Sequence, residues 1–370
     1  MFKPKPSTLA QLKHSLSQWQ DPYLGTDLMT AQAVTDIQLN QGQAIIAISL
    51  GYPTLGLADK TSDWHTSLRQ HVLKVADIEQ VTLELSWDRS SYQPQGELTP
   101  LPGVANIIPI ASAKGGVGKS TVTTNLALAL ASQGARVGIM DGDIYGPSQG
   151  LALGVAPNTR PEIAEQKYFK PIVAHGLQFI SMSLVAEQGT AMIWRGPMAS
   201  KALQQLLGQT LWSDLDYLLV DMPPGTGDIQ LTLAQKIPIA GALIVTTPQD
   251  LALLDVEKAI QLFDKVSVPI VGLVENMAFY RCPDCGHQAA IFGSGGGEQL
   301  ASKQQIDYLG AIPLDTRIRE HMDQGLATVL AEPQSEITQL YQELARKLAG
   351  RLSLRPKASG HSQGIKLRNL

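Results

Sequence analysis

The chain has 370 residues, 44% of them hydrophobic, and a formal net charge of −4. That length and apolar fraction support two domains with sizeable cores, and the slightly acidic balance supplies no overall basic field for nucleic acid. No run approaches the ~18 apolar residues of a membrane span; the opening Met1-Phe2-Lys3-Pro4-Lys5-Pro6 lacks the apolar core of a secretory leader, and two cysteines do not make a disulfide scaffold, so the expected compartment is a reducing cytoplasm.

Residues 1–87 read as a small α+β domain. Leu9, Leu12, Leu16 and Trp19 recur at helical spacing. Two alternating runs, 34–39 and 44–50, flank Asn40-Gln41-Gly42-Gln43, a hairpin turn. A second helix is predicted over 64–75 and a third strand over 81–85. Residues 88–105, rich in Pro, Gly, Ser and Gln, read as a linker. Strand–helix alternation then runs through 106–353, with apolar strand-like runs at 107–111, 137–140, 177–182, 217–220, 241–245 and 270–274. The fold class is therefore α/β, a mostly parallel sheet covered on both faces, preceded by the small α+β domain. Ligands of such sheets sit at the carboxyl ends of the strands. A last helix carries Ile337, Leu340, Tyr341, Leu344 and Leu348 on one stripe. The stripe is short and poor in bulky aromatics, which suits core packing better than a membrane surface. Residues 354–370 read as a flexible basic tail.

Between the run at 107–111 and the helix beginning near Val122 lies Lys114-Gly115-Gly116-Val117-Gly118-Lys119-Ser120-Thr121. A glycine-rich turn between strand and helix lets backbone N–H groups wrap a phosphate, and the helix N-terminus adds positive potential there. Lys119 is placed to reach the β- and γ-phosphates and the Ser120 hydroxyl to ligate Mg²⁺. The general P-loop pattern opens on Gly, and here that position is Ala113. A nucleotide triphosphatase is the default reading.

Two acidic strand ends follow. The run at 217–220 ends in Asp221, within Asp221-Met222-Pro223-Pro224-Gly225-Thr226-Gly227-Asp228, and the run at 137–140 ends in Asp141-Gly142-Asp143. An acid at a strand end beside the loop can hold the hydration shell of Mg²⁺ or orient the attacking water, and Asp143 is the candidate for the water. Lys114 either faces solvent or reaches a phosphate across a dimer interface, adding charge in trans as arginine fingers do. Asn276, after the run at 270–274, carries a carboxamide suited to the Watson–Crick edge of adenine.

Both cysteines fall in Arg281-Cys282-Pro283-Asp284-Cys285-Gly286-His287. C-x-x-C places two thiolates on one metal, cluster or disulfide. The thioredoxin-like context of a redox dithiol is missing, so metal ligation fits better. Structural zinc or a four-iron cluster needs about four ligands. A homodimer with its two-fold axis through the site supplies four thiolates; His287 with a water is the zinc alternative.

These motifs resemble known families. Lys-Gly-Gly-Val-Gly-Lys-Ser-Thr is similar to the deviant P-loop of MinD, ParA and the nitrogenase iron protein. Asp141-Gly142-Asp143-Ile144-Tyr145-Gly146-Pro147-Ser148, Cys282-Pro283-Asp284-Cys285 and Phe292-Gly293-Ser294-Gly295-Gly296-Gly297 are narrower, and resemble the Mrp/ApbC family of iron–sulfur cluster carrier ATPases over about residues 105–350. The resemblance implies a homodimer with a [4Fe–4S] cluster bridged by Cys282 and Cys285 of each chain. It implies ATP hydrolysis with Lys114 as signature lysine, Lys119 and Ser120 at phosphates and Mg²⁺, and Asp143 and Asp221 near water and metal. The partners implied are apo iron–sulfur proteins and cluster scaffolds, with neither nucleic acid nor membrane. A MinD/ParA-like positioning ATPase, a zinc-stapled nucleotide switch and a nitrogenase-like reductase are the alternatives. Through Asp21-Pro22-Tyr23-Leu24-Gly25-Thr26-Asp27 the first domain resembles the PaaD-like assembly domain. That family often has a cysteine after its second strand, where this chain has Gly51-Tyr52-Pro53-Thr54, which implies docking rather than cluster relay.

Overall fold

The structure, a computed structural model, describes residues 7–96, 98–185 and 196–358. They form two compact units, one running to Ser90 and joined by the chain from Ala349, the other Ser91–Leu348.

In the first unit, α1 (Thr8–Gln18) precedes β1 (Val34–Asn40), β2 (Gln43–Leu50), α2 (Asp63–Val72) and β3 (Gln80–Trp87). The sheet order is β1-β2-β3, antiparallel between β1 and β2 and parallel between β2 and β3. Gln41 and Gly42 both have positive φ, 43° and 85°, the turn that matches the twist of a two-residue hairpin. Strand β2 alternates in burial, so Ala44, Ile46, Ile48 and Leu50 share one buried face, and Leu12 and Leu16 of α1 and Leu68 and Val72 of α2 are buried as well.

The Asp21–Asp27 motif is an internal anchor of this unit. Asp21 is fully buried. Its Oδ1 accepts from the N–H groups of Tyr23 and Leu24 at 2.8 Å each, and its Oδ2 from Tyr52 Oη at 2.7 Å and Trp64 Nε1 at 2.8 Å. Asp27 turns the next corner by accepting from Met29 and Thr30 N–H. A buried carboxylate is tolerated here because its lone pairs are taken by well-placed donors.

The second unit contains β4 (Val104–Ala111), α3 (Lys119–Ser132), β5 (Val137–Asp141), α4 (Gln149–Ala152), β6 (Ile163–Ala164), β7 (Tyr168–Phe169), β8 (Ile172–Ala174), β9 (Leu177–Ser181), α5 (Met182–Val185), α6 (Gly196–Gln209), β10 (Leu215–Asp221), α7 (Asp228–Lys236), β11 (Ala242–Thr246), α8 (Asp250–Lys265), β12 (Ile270–Glu275), β13 (Tyr280–Arg281), β14 (Gln288–Ala289), α9 (Gly296–Gln304), β15 (Tyr308–Ala311), α10 (Thr316–Asp323) and α11 (Thr328–Ala331). The last helix, α12 (Glu336–Ser353), begins in it.

Eight strands make one sheet in the order β15-β12-β11-β4-β10-β5-β9-β8, parallel except for the edge strand β8. Strands β5, β10 and β11 are buried at every residue, so both faces of the sheet are covered, as their unbroken apolar runs require. Strand β4 lies inside the sheet, and the chain crosses it between its two neighbours, β10 and β11, which puts the switch point, and the ligand crevice, at the end of that strand.

Composition predicts a linker at 88–105, and the structure packs part of that stretch. Tyr92 is buried, and the buried Gln95 donates to the carbonyls of Ala234 at 2.6 Å and Ile237 at 2.7 Å while accepting from Ile239 N–H at 2.7 Å. A glutamine that satisfies three main-chain groups at the end of α7 is a structural strap, which composition does not reveal. In the predicted tail, residues 359–370 lie outside the described residues.

Candidate functional site

Strand β4 ends at Ala111, and the chain winds through the glycine-rich loop into α3. Gly116 and Gly118 have φ of 82° and 79°. Gly118 must be glycine twice over: its backbone is left-handed, and a Cβ there would meet Asn276 Nδ2 at 2.2 Å. Gly118 is also the N-cap of α3 and supplies no capping side chain, so the first-turn N–H groups of this buried helix face the loop. Gly115 and Gly116 are exposed, Val117 is buried, and Ser120 and Thr121 are half-buried in the first turn. Lys114 is exposed on the outside of the loop.

The register of the sheet brings the acids to this loop. Asp221 lies opposite Ile110 of β4 on one side and Asp141 of β5 on the other. Asp221 is fully buried and accepts from the ammonium of Lys119, itself 6% exposed, through Oδ1. Asp141 is buried beside it, its Oδ1 accepting from Asp143 N–H at 3.1 Å and its Oδ2 from Gln149 N–H at 3.2 Å and Ser181 Oγ at 3.3 Å. Burial, and then the charge of Asp221, push the Asp141 carboxyl up to about 7. The site is thus a lysine and two carboxylates at adjacent strand ends beneath a loop built for phosphate.

Asp143, the candidate for orienting water, is half-buried, and its Oδ1 accepts from the N–H groups of Tyr145 at 3.2 Å and Gly146 at 3.1 Å. Through these bonds it shapes the acidic turn. Asn276, the candidate for reading the base, packs against the loop. It is buried, and its Nδ2 donates to the Val117 carbonyl at 2.8 Å, so its amide braces the loop from below.

Two residues that the motifs did not single out hold this edge together. The buried Gln149 reaches Asp221, Ser120 and Thr124 at once. Glu275, at the end of β12, is buried and accepts from Gly297 N–H at 2.6 Å, and burial pushes its carboxyl up. This carboxylate caps α9, and a Cβ at Gly297 would meet it at 2.6 Å. The glycine-rich 293–297 stretch therefore makes room for an internal acid. It resembles a phosphate loop in composition only.

The cysteines sit at the tip of a short hairpin, β13 paired with β14. Cys282 N–H donates to the His287 carbonyl and Gly286 N–H to the Cys282 carbonyl, each at 2.9 Å, closing a tight knuckle. Cys285 is exposed and Cys282 half-exposed. The backbone N–H groups of Cys285 and Asp284, then the Cys285 side chain, draw the Cys282 thiol below its ordinary pKa. N–H groups aimed at a sulfur favour the thiolate that metal binding needs. Among the described residues no group of three or more His, Cys, Asp or Glu is placed to hold a metal. Among them also, no helix is long and apolar enough to cross a membrane.

Comparison with known proteins agrees with this geometry. Residues 103–349 match the family model described as NUBPL iron-transfer P-loop NTPase, and residues 9–83 match that of an iron–sulfur cluster assembly protein. The chain is 53% identical over 278 residues to an iron–sulfur cluster carrier protein of Pseudomonas fragi, covering 75% of this chain and 97% of that one. It is 43% identical over 350 residues to the iron–sulfur cluster carrier protein of Escherichia coli K12, covering 93% and 92%. Among solved structures, a nucleotide-binding protein of Archaeoglobus fulgidus in complex with ADP aligns with a TM-score of 0.56 at 35% identity, over 64% of this chain and 91% of that one. On the sequence match to two-thirds of its length and the loop, acids and thiol pair described above, the chain belongs to the NUBPL iron-transfer P-loop NTPase family.

Proposed function

We propose that this protein is a cytoplasmic, homodimeric ATPase that carries a [4Fe–4S] cluster and passes it to apo-proteins, having received it from a scaffold. The observation that supports this most strongly is the pairing, in one unit, of a phosphate loop with an exposed knuckle bearing two thiols. Two thiols are half of the ligands such a cluster takes. Two copies related by a two-fold axis bring Cys282 and Cys285 of each chain to one cargo.

At the nucleotide site, Gly115, Gly116, Val117, Gly118 and Thr121 wrap the phosphates with backbone N–H groups, and Lys119 swings from Asp221 to the β- and γ-phosphates. The Ser120 hydroxyl and Asp221 carboxylate are hard oxygen donors suited to Mg²⁺, directly or through its waters. Mg²⁺, when bound, neutralises charge on the phosphate oxygens. Asp143 orients the water that attacks the γ-phosphorus as the bond to the bridging oxygen breaks, and Lys114 of the partner subunit adds positive charge from across the interface. Asn276 keeps the loop in shape under the nucleotide.

Anaerobic reconstitution tests the cargo assignment. The wild-type chain should turn brown, and Cys282→Ala and Cys285→Ala should stay colourless. Cluster retention by both variants would rule the assignment out.

A further inference from the structure

The residue that does most at the nucleotide edge is one that no motif marks. Gln149 is completely buried at the start of α4. Its Oε1 accepts from Thr124 Oγ1 at 2.6 Å, and its Nε2 donates to Asp221 Oδ2 at 2.8 Å and to the Ser120 carbonyl at 3.0 Å. Its backbone N–H reaches Asp141 Oδ2 at 3.2 Å. A primary amide has one acceptor oxygen and two N–H donors, and here all are used. One side chain thus ties together the first turn of α3, the end of β10 and the turn that carries Asp143.

The nucleotide reading gives this arrangement a task. In the structure Asp221 is held through Oδ1 by Lys119, with Thr123 Oγ1 at 3.4 Å, and through Oδ2 by Gln149. When Lys119 turns to the phosphates, Asp221 loses its cation while remaining beside the Asp141 carboxyl. The Gln149 amide then remains on Oδ2 of that carboxylate, leaving Oδ1, the oxygen that Lys119 had held, available to the hydration shell of Mg²⁺. We infer that Gln149 is the positioning residue that holds Asp221 for the metal once Lys119 leaves, and so sets how strongly nucleotide binding depends on Mg²⁺. This inference rests on the proposed nucleotide site.

Gln149→Met keeps the length of the side chain and removes its donors. Gln149→Glu keeps the oxygen facing Thr124 and turns the donor facing Asp221 into a repelling carboxylate. Thr124→Val removes the group that orients the amide and leaves the amide itself. The readouts are binding of ADP in EDTA, the Mg²⁺ concentration that half-saturates ATP binding, and kcat against KM, on folded full-length chains checked by thermal melting. Loss of a hydrogen bond to a charged group sets the expected scale at about tenfold or more. ADP binding in EDTA should stay within about twofold, while the Mg²⁺ requirement rises and kcat falls about tenfold for Gln149→Met and further for Gln149→Glu. Thr124→Val should shift both the same way by less. A Gln149→Met protein with wild-type Mg²⁺ dependence and kcat would show mere space filling and overturn the inference. If Gln149→Met melts too early to assay, the order of Thr124→Val against wild type decides, and equality overturns it. A wild-type chain that binds no nucleotide would refute the proposed function instead, so the two failures are distinct.

Discussion

Lys119 and Asp221, 102 positions apart in the chain, form an ion pair in which both side chains are buried. The lysine is the one the phosphate loop supplies, and the aspartate ends the neighbouring strand, so the two charges offset each other. A second carboxylate, Asp141, lies directly across the sheet from Asp221. Burial first, and then the charge of Asp221, push the Asp141 carboxyl up to about 7.

That raised value has a sign. An unfolded aspartate titrates near ~3.9, so between about pH 4 and 7 the folded chain keeps a proton that the unfolded chain has lost. The contribution of Asp141 to stability is complete below about pH 4 and declines as pH rises to about 7, by at most ~1.4 kcal/mol per unit. Denaturant unfolding of nucleotide-free Asp141→Asn at pH 5 and pH 7.5 should show a weaker pH dependence than wild type. An unchanged slope would show that Asp141 is ionised throughout.

Lys114 is exposed and the structure gives it no part in the fold, so Lys114→Ala should change stability by no more than ~0.5 kcal/mol. Its effect on hydrolysis should be large, about a thousandfold if it acts as charge donors of this kind do. Action in trans makes a sharper forecast. Mixing Lys114→Ala with Lys119→Ala chains should restore activity, because one site of the mixed dimer then has Lys119 in cis and Lys114 from its partner. Two inactive proteins that stay inactive when mixed and shown to exchange subunits would place Lys114 in cis.

The two thiols should not react alike. Backbone N–H groups of Cys285 and Asp284 lower the pKa of Cys282, and both remain when the Cys285 sulfur is removed. Cys285→Ser should therefore alkylate with iodoacetamide faster at neutral pH than Cys282→Ser does. Equal rates would mean that the knuckle does not prepare its thiolate.

In the first unit, Asp21→Ala removes the acceptor of the buried Trp64 indole N–H and the buried Leu24 N–H, and one partner each of the Tyr52 hydroxyl and the Tyr23 N–H. A loss of about 3–5 kcal/mol is expected, because each buried donor left unpaired costs ~1–3 kcal/mol and the structure relaxes in part. Thermal melting of the variant measures it. A near-neutral change would show that solvent reaches these donors.

Much of this molecule is legible in the sequence, for identifiable reasons. Buried parallel strands need unbroken apolar runs, so β4, β5, β10, β11 and β12 stand out, and the glycines of the phosphate loop are fixed by backbone geometry. Asp221 is found because strand ends are where such sheets bind ligands. Other features depend on long-range contacts that no local pattern encodes. Gln149 follows Pro147 and Ser148 in what reads as an ordinary turn, and acquires its role when that turn folds back on α3 and β10. Gln95 looks like linker until Ala234, Ile237 and Ile239 surround its amide. Asn276 has the right chemistry for a base, and its bond to the Val117 carbonyl, 159 positions away, is a contact that local sequence does not announce. The two-residue strands β13 and β14 are too short for any periodicity, so the sequence shows the thiol pair without the knuckle that presents it.

A cluster shared between two chains is tested by the native mass of the anaerobically reconstituted protein with its iron and sulfide content. The expected result is a dimer holding about four irons and four sulfides per two chains, because four thiolates complete one such cluster. A colourless dimer with about one zinc in the same place, or a monomer retaining a full cluster, would contradict it.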